Sequence, residues 1–166
     1  VKGAAKNGSP VEQMPAARQL RLAWLTCLAL NLKRTARVVS TVYEDAVRPA
    51  GVRSTQFSIL ATLAVNPEAS IAQLADWIDA DRTTTQRSIG IMQRQGWILV
   101  ENAPSGNVRR LSLTPRGRKK LAEAFRLWEK AQSSMVQMLG ADSARRLLKS
   151  LSGVRKRAAS RAVSKK

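Results

Sequence analysis

At 166 residues, 44% of them hydrophobic, the chain is one domain long or slightly more and has enough apolar material for a core, yet no apolar run reaches the roughly 18 residues that would span a membrane. Lysine and arginine number 29 against 11 aspartates and glutamates, a net charge of +18 that points to a polyanionic partner, nucleic acid or an anionic membrane surface. Histidine is absent, which excludes histidine-based acid–base chemistry, Ser-His-Asp triads and ordinary zinc sites, and the one cysteine, Cys27, excludes an internal disulfide framework and fits a reducing cytoplasm.

Residues 1–15 are rich in Gly, Ala, Lys, Asn, Ser and Pro, show little periodicity, and read as a disordered arm. They lack a charged segment leading straight into an apolar block, so no signal peptide is expected. From residue 16 to 47 one long helical pattern runs through Leu20, Trp24, Cys27, Leu28 and Leu32, then Ala36, Val39 and Tyr43, until Pro49 and Gly51 stop it. A helix of that length exceeds a typical globular one and is expected to serve two substructures or a dimer seam. On this apolar helix Cys27 reads as a small buried core residue. A further helix starts at Ser54 or Thr55 with Phe57, Leu60, Ala61 and Ala64 inward, and Asn66-Pro67 breaks it.

The stretch over 70–114 reads helix, turn, helix, strand, turn, strand. Ser70 can cap the first of these helices, and Ile71, Leu74, Ala75 and Ile78 fall on one face. Asp81 can cap the second, whose inner stripe is Thr85, Ile89 and Met92. Gly96 ends it, because glycine tolerates the left-handed conformation there. Two β-prone runs, 97–100 and 108–113, flank the turn-rich Asn102-Ala103-Pro104-Ser105-Gly106-Asn107. Thr114 then caps another helix with Pro115 at its first position. Helix-turn-helix followed by a hairpin is a winged helix, and the outer face of its second helix carries hydroxyls, an amide and arginines suited to the major groove of DNA. The alternative is a helical hairpin with a solvated polar face. Thr83, Thr84 and Gln86 are the candidates for base edges, since short hydroxyls suit several bases and glutamine pairs with adenine. Arg82, Arg87 and Arg94 are candidate phosphate ligands or partners of Asp79 and Asp81. Asn107, Arg109 and Arg110 complete the expected DNA-binding set from the wing.

Beyond residue 114, Leu121, Phe125, Trp128, Gln132, Met135 and Leu139 recur at helical spacing to Gly140. A last helix runs from Asp142 through Leu147, Leu148, Leu151 and Val154 and is expected to fade into Arg155-Lys156-Arg157. Residues 141–166 carry a net +8, and a basic tail there can act as a nonspecific DNA arm or be a solvated end. Trp24, Trp97 and Trp128 read as core, whereas Trp77 points off the inner stripe. The fold class expected is mainly α with a small β-wing: a winged helix-turn-helix flanked by long terminal helices. Those helices carry more apolar face than one small lobe can cover, so a twofold homodimer is expected, the alternative being a monomeric bundle. The expected layout is an arm over 1–15, a first dimerisation helix and turn over 16–52, a DNA-binding lobe over 53–114, and C-terminal dimerisation helices with a basic tail over 115–166.

Set in order, Arg34-Thr35-Ala36-Arg37, Val47-Arg48-Pro49-Ala50-Gly51-Val52, Thr55-Gln56-Phe57-Ser58-Ile59-Leu60, Asp81-Arg82-Thr83-Thr84, Arg94-Gln95-Gly96-Trp97 and Leu111-Ser112-Leu113-Thr114-Pro115-Arg116-Gly117 resemble the MarR family of regulators over about residues 18–140. The resemblance implies a dimeric winged-helix regulator of pseudo-palindromic operator DNA, usually a repressor, often released by a small, commonly phenolic, ligand. Two departures stand out. The family's Asp-x-Arg wing motif falls on Ser105 and Asn107, so that pair is absent. Thr85 stands where leucine is usual, and its hydroxyl is expected to bond back to a carbonyl of its own helix.

Two rival functions follow from the residues: a redox or small-molecule sensor using Cys27, and a nonspecific architectural DNA-binding protein favoured by the charge. No carboxylate pair, metal-ligand cluster or phosphate loop appears, so neither an enzyme nor a cofactor is expected.

Overall fold

The computed structural model of the protein describes residues 16–102 and 109–163. The expected arm over 1–15 and the turn carrying Ser105 and Asn107 lie outside the described residues. Two compact units divide between Thr41 and Val42.

In the first unit, helix α1 (Ala17–Thr26) is followed by helix α2 (Leu28–Val47), whose last turns belong to the second. The single long helix expected from the apolar spacing is therefore two. Cys27 interrupts it with an extended backbone (φ −65°, ψ 109°), and the Asn31 Nδ2 donates across the break to the carbonyls of Leu25 at 3.0 Å and Cys27 at 2.9 Å. The break lifts Cys27 off the apolar stripe and leaves it exposed, not buried as expected. Trp24, also expected in the core, is 52% exposed and lies beneath the Arg34 guanidinium, 4.9 Å from the ring centre. Leu20, Leu22, Leu25, Leu28 and Leu32 are exposed as well.

The second unit opens on the end of α2, where Val47 is fully buried and Gly51 takes a left-handed turn (φ +70°) after a short 3₁₀ turn. Helix α3 (Ser54–Val65) starts with no cap from the Arg53 side chain, although Gln56 Oε1 accepts the Arg53 N–H at 2.9 Å. A carboxylate from α2 supplies one instead: Glu44 Oε2 accepts the Ser54 N–H at 2.7 Å, and this bond holds the Glu44 carboxyl below the usual glutamate range. Gln56, Ile59, Leu60 and Leu63 are the buried residues of α3, while Phe57 and Ala61 are half-buried and Ala64 is exposed. The inward face is thus rotated from the expected one, because this helix has no charged residue to mark its outer edge and the polar Gln56 is itself turned inward.

Strand β1 (Ala69–Ser70) leads into helix α4 (Ile71–Trp77), then helix α5 (Arg82–Arg94), strand β2 (Ile98–Asn102) and strand β3 (Arg109–Leu113). The strands form an antiparallel sheet in the order β1-β3-β2, with Ala69 opposite Leu111 and Ile98 opposite Leu113. The two-residue β1 was not expected; it carries no periodicity of its own and exists through its pairing with β3. The core gathers Leu60 and Leu63 from α3, Leu74 from α4, Ile89 and Met92 from α5, and Ile98 and Leu111 from the sheet. The whole is a winged helix.

Helix α6 (Pro115–Leu139) begins with Thr114 as cap, its hydroxyl accepting the Gly117 N–H at 2.9 Å. Its middle carries Trp128, half-buried, with Phe125, Phe57 and Tyr43 at ring-centre distances of 5.4, 5.8 and 6.5 Å. The Tyr43 hydroxyl donates to Gln132 Oε1 at 2.5 Å, and burial pushes its titration up. Gly140 (φ +78°) turns the chain into helix α7 (Ala141–Val163), which does not fade at Arg155 but continues through the basic residues. Ala144 is buried, while Leu147, Leu148 and Val154 are exposed. Among the described residues no helix is long and apolar enough to cross a membrane.

Candidate nucleic-acid interface

The helix-turn-helix is set by local chemistry. Ser70 Oγ accepts the Gln73 N–H at 3.2 Å while Gln73 Oε1 accepts the Ser70 N–H at 2.9 Å, a reciprocal box that fixes the start of α4. Asp81 Oδ1 accepts the Thr84 N–H at 2.7 Å and so starts α5. The Thr84 side chain and N–H, in that order, hold the Asp81 carboxyl below the usual aspartate range. At the far end Gly96 (φ +69°) donates to the Gln93 carbonyl at 2.9 Å, and Trp97 donates to that of Met92 at 2.9 Å, so α5 stops and β2 begins.

One face of α5 is then inward. Thr85, Ile89 and Met92 are buried, and Arg82, Thr83, Thr84, Gln86, Arg87 and Arg94 are exposed together on the rest of the helix. The ion pairs considered for Arg82 with Asp79 or Asp81 are not formed: among the described residues neither Arg82, Arg87, Arg94 nor Arg109 has an acidic partner. Their full charge is available to an anion. Because the first turn of α5 also carries the positive end of the helix dipole, this end of the helix favours phosphate or the electronegative floor of a groove.

The Thr85 hydroxyl departs from expectation. It has no hydrogen-bond partner although the residue is fully buried, and the Asp81 carbonyl one turn back already accepts the Thr85 N–H at 3.0 Å. An enclosed hydroxyl without a partner costs about 1–3 kcal/mol. Thr85→Val keeps the shape and removes the oxygen, so it is expected to raise the unfolding free energy by about 1–2 kcal/mol. Urea titration at fixed protein concentration measures this; a lower midpoint would show that the hydroxyl has a partner in solution.

The two wing arginines differ. Successive residues of a strand point to opposite faces, so Arg109 shares the face of Leu111 and Leu113, which pack on the core, and Arg110 takes the other face with Ser112. Arg110 is paired with Glu68, a residue that sequence reasoning passed over because no local pattern joins two side chains so far apart in the chain. Asn107 lies outside the described residues. Behind the C-terminal turn of α5, an open groove of about 620 Å³ is lined by Glu44, Arg48, Arg53, Gln56, Ile91 and Gln95.

Comparison with known proteins fits this geometry. The model of the MarR family matches residues 52–105. Among solved structures, the M. tuberculosis transcriptional regulator MosR is 31% identical, with 81% of this chain and 98% of MosR covered and a TM-score of 0.69. The chain belongs to the MarR family. MosR in complex with DNA matches at 30% identity, 80% and 98% coverage, and a TM-score of 0.67. The transcriptional repressor CouR, bound to a 23-mer DNA duplex, matches at 24% identity, 86% and 98% coverage, and a TM-score of 0.73, a likeness of fold. A comparison with curated protein sequences finds no match. The match to the MarR family model spans α5 and its polar outer face whole.

Proposed function

We propose that this MarR-family chain is a DNA-binding transcriptional regulator that acts without catalysis, as a homodimeric repressor on a pseudo-palindromic operator. The observation that carries the reading is the outer face of α5: three exposed arginines without acidic partners among the described residues, beside two exposed threonines and a glutamine, on one helix. Thr83, Thr84 and Gln86 are proposed as base readers, and Arg82, Arg87, Arg94 and Arg109 as phosphate ligands. The DNA complex of the 30% identical MosR supports the same use of the fold. Homodimerisation is supported by the exposed leucines of α1 and, separately, those of α7. For release, we propose that a small aromatic acid enters the groove beside Arg53 and Gln56, since that groove touches Ile91 and Gln95 at the end of α5.

The test separates reading from positioning. Operator sites are first selected from random duplexes, and affinity is then titrated against salt. A specific regulator prefers its operator over scrambled duplex by roughly 10³-fold or more at physiological salt. Thr84→Ala and Gln86→Ala should each cost about 1–3 kcal/mol on the operator alone, with the salt slope unchanged. Equal weakening on both duplexes would remove α5 as reader and favour the architectural alternative, to which the net charge of +18 lends support.

A further inference from the structure

The wing root carries an arginine that the chain itself neutralises. Arg110 Nη1 is ion-paired with Glu68 Oε2, and the Arg110 side chain is 46% exposed. Glu101 lies directly opposite Arg110 on β2, but among the described residues the ion pair of the Arg110 guanidinium is with Glu68. Glu68 is held for this role by backbone as well as side chain. Its N–H donates to the Leu111 carbonyl at 3.0 Å, and the next two residues pair with Leu111 and Arg110. Its φ of +65° is a left-handed conformation that glycine adopts freely and glutamate does not. The position therefore holds a carboxylate where the backbone favours none. Beside it an open groove of about 380 Å³, lined by Glu68, Glu101, Asn102, Arg110, Leu111 and Ser112, gives the guanidinium room to swing.

We propose that Glu68 is a restraining residue of the DNA interface: it holds Arg110 away from the phosphate backbone and so lowers the affinity of the wing for every duplex. The proposal rests on the DNA-binding reading above. An exposed ion pair contributes little to stability, so its effect is on binding, where it withholds one cation from counterion release. Arg109, with no acidic partner among the described residues, is left as the described wing residue that meets phosphate in the resting arrangement.

Full-length protein is titrated against operator and scrambled duplex over a range of salt. Glu68→Gln should bind both duplexes about threefold to fivefold more tightly, with a salt slope steeper by about 0.9, the signature of one added phosphate contact. Glu68→Gly should do the same while unfolding no more easily than the wild type, since it also relieves the left-handed backbone. In an Arg110→Gln background, Glu68→Gln should have no effect on either quantity. A gain that survives without Arg110 would reduce Glu68 to a general negative charge and overturn the proposal. So would weaker binding in both Glu68 variants, which would make the ion pair a brace that DNA binding needs. Failure of the wild type to bind any duplex would instead overturn the regulator reading, and the proposal with it.

Discussion

Gly117→Ala should destabilise the protein by about 3 kcal/mol or more, although a simple helix-propensity argument predicts a gain of about 1 kcal/mol from the same change. Gly117 is buried in the first turn of α6, and a Cβ there would lie 2.0 Å from the Trp97 carbonyl oxygen and 2.9 Å from its carbon. Those are backbone atoms and cannot swing aside. The start of α6 would have to lift from the α5–β2 corner, and three bonds hold it there. Thr114 donates from its hydroxyl to the Gly96 carbonyl at 2.7 Å and to the Trp97 carbonyl at 3.3 Å, and from its N–H to the Trp97 carbonyl at 3.1 Å. Thermal unfolding should show a midpoint lower by roughly 10 °C. A midpoint unchanged or raised would mean that the corner opens freely and that α6 is not fixed to the winged helix by this contact.

The second large effect is on assembly. Leu147 and Leu148 on α7 are 46% and 64% exposed, and the proposed homodimer gives them a partner surface. Replacing both by glutamate should leave each chain folded, since neither side chain belongs to the core, yet bury two unpaired charges in the dimer. The expected result is a monomer at micromolar concentration by sedimentation, with operator affinity reduced more than a hundredfold because each half-site then binds alone. A dimer that persists would move the interface off α7.

The helix ends around the helix-turn-helix and the start of α6 were legible in the sequence, because capping is a matter of three or four neighbouring residues. Ser70, Asp81, Gly96 and Thr114 all act where the residue pattern placed them. The inner stripe of α5 was legible for a related reason: its polar outer face is continuous, so the apolar minority had one place to go. What was not legible depends on distant partners or on the lack of contrast. An apolar spacing that continues through Cys27 does not reveal that the backbone turns there. The face of α3 could not be located in a helix that carries no charge and buries one of its polar residues, Gln56. Neither the Glu44 cap on Ser54 nor the Glu68–Arg110 pair has a local signature. The DNA-facing residues are a middle case. Their exposure on α5 was legible from periodicity, whereas the neutralisation of Arg110 by Glu68 needed the pairing of β1 with β3.

The pairing of β1 with β3 has a consequence for how the chain reaches this structure. Ala69 meets Leu111 only after α4, α5 and β2 have been laid down between them, a loop of 41 residues whose closure costs on the order of 3 kcal/mol in chain entropy. The β2–β3 hairpin closes a far shorter loop and has five paired positions to set against that loss; β1 has two. The third strand is therefore a late acquisition in folding, added once the helix-turn-helix has collapsed onto the hairpin. Its two backbone pairs and the Glu68 ion pair are also what separates most easily from a chain that is otherwise folded, so the link between the wing and α4 is where the native ensemble is softest.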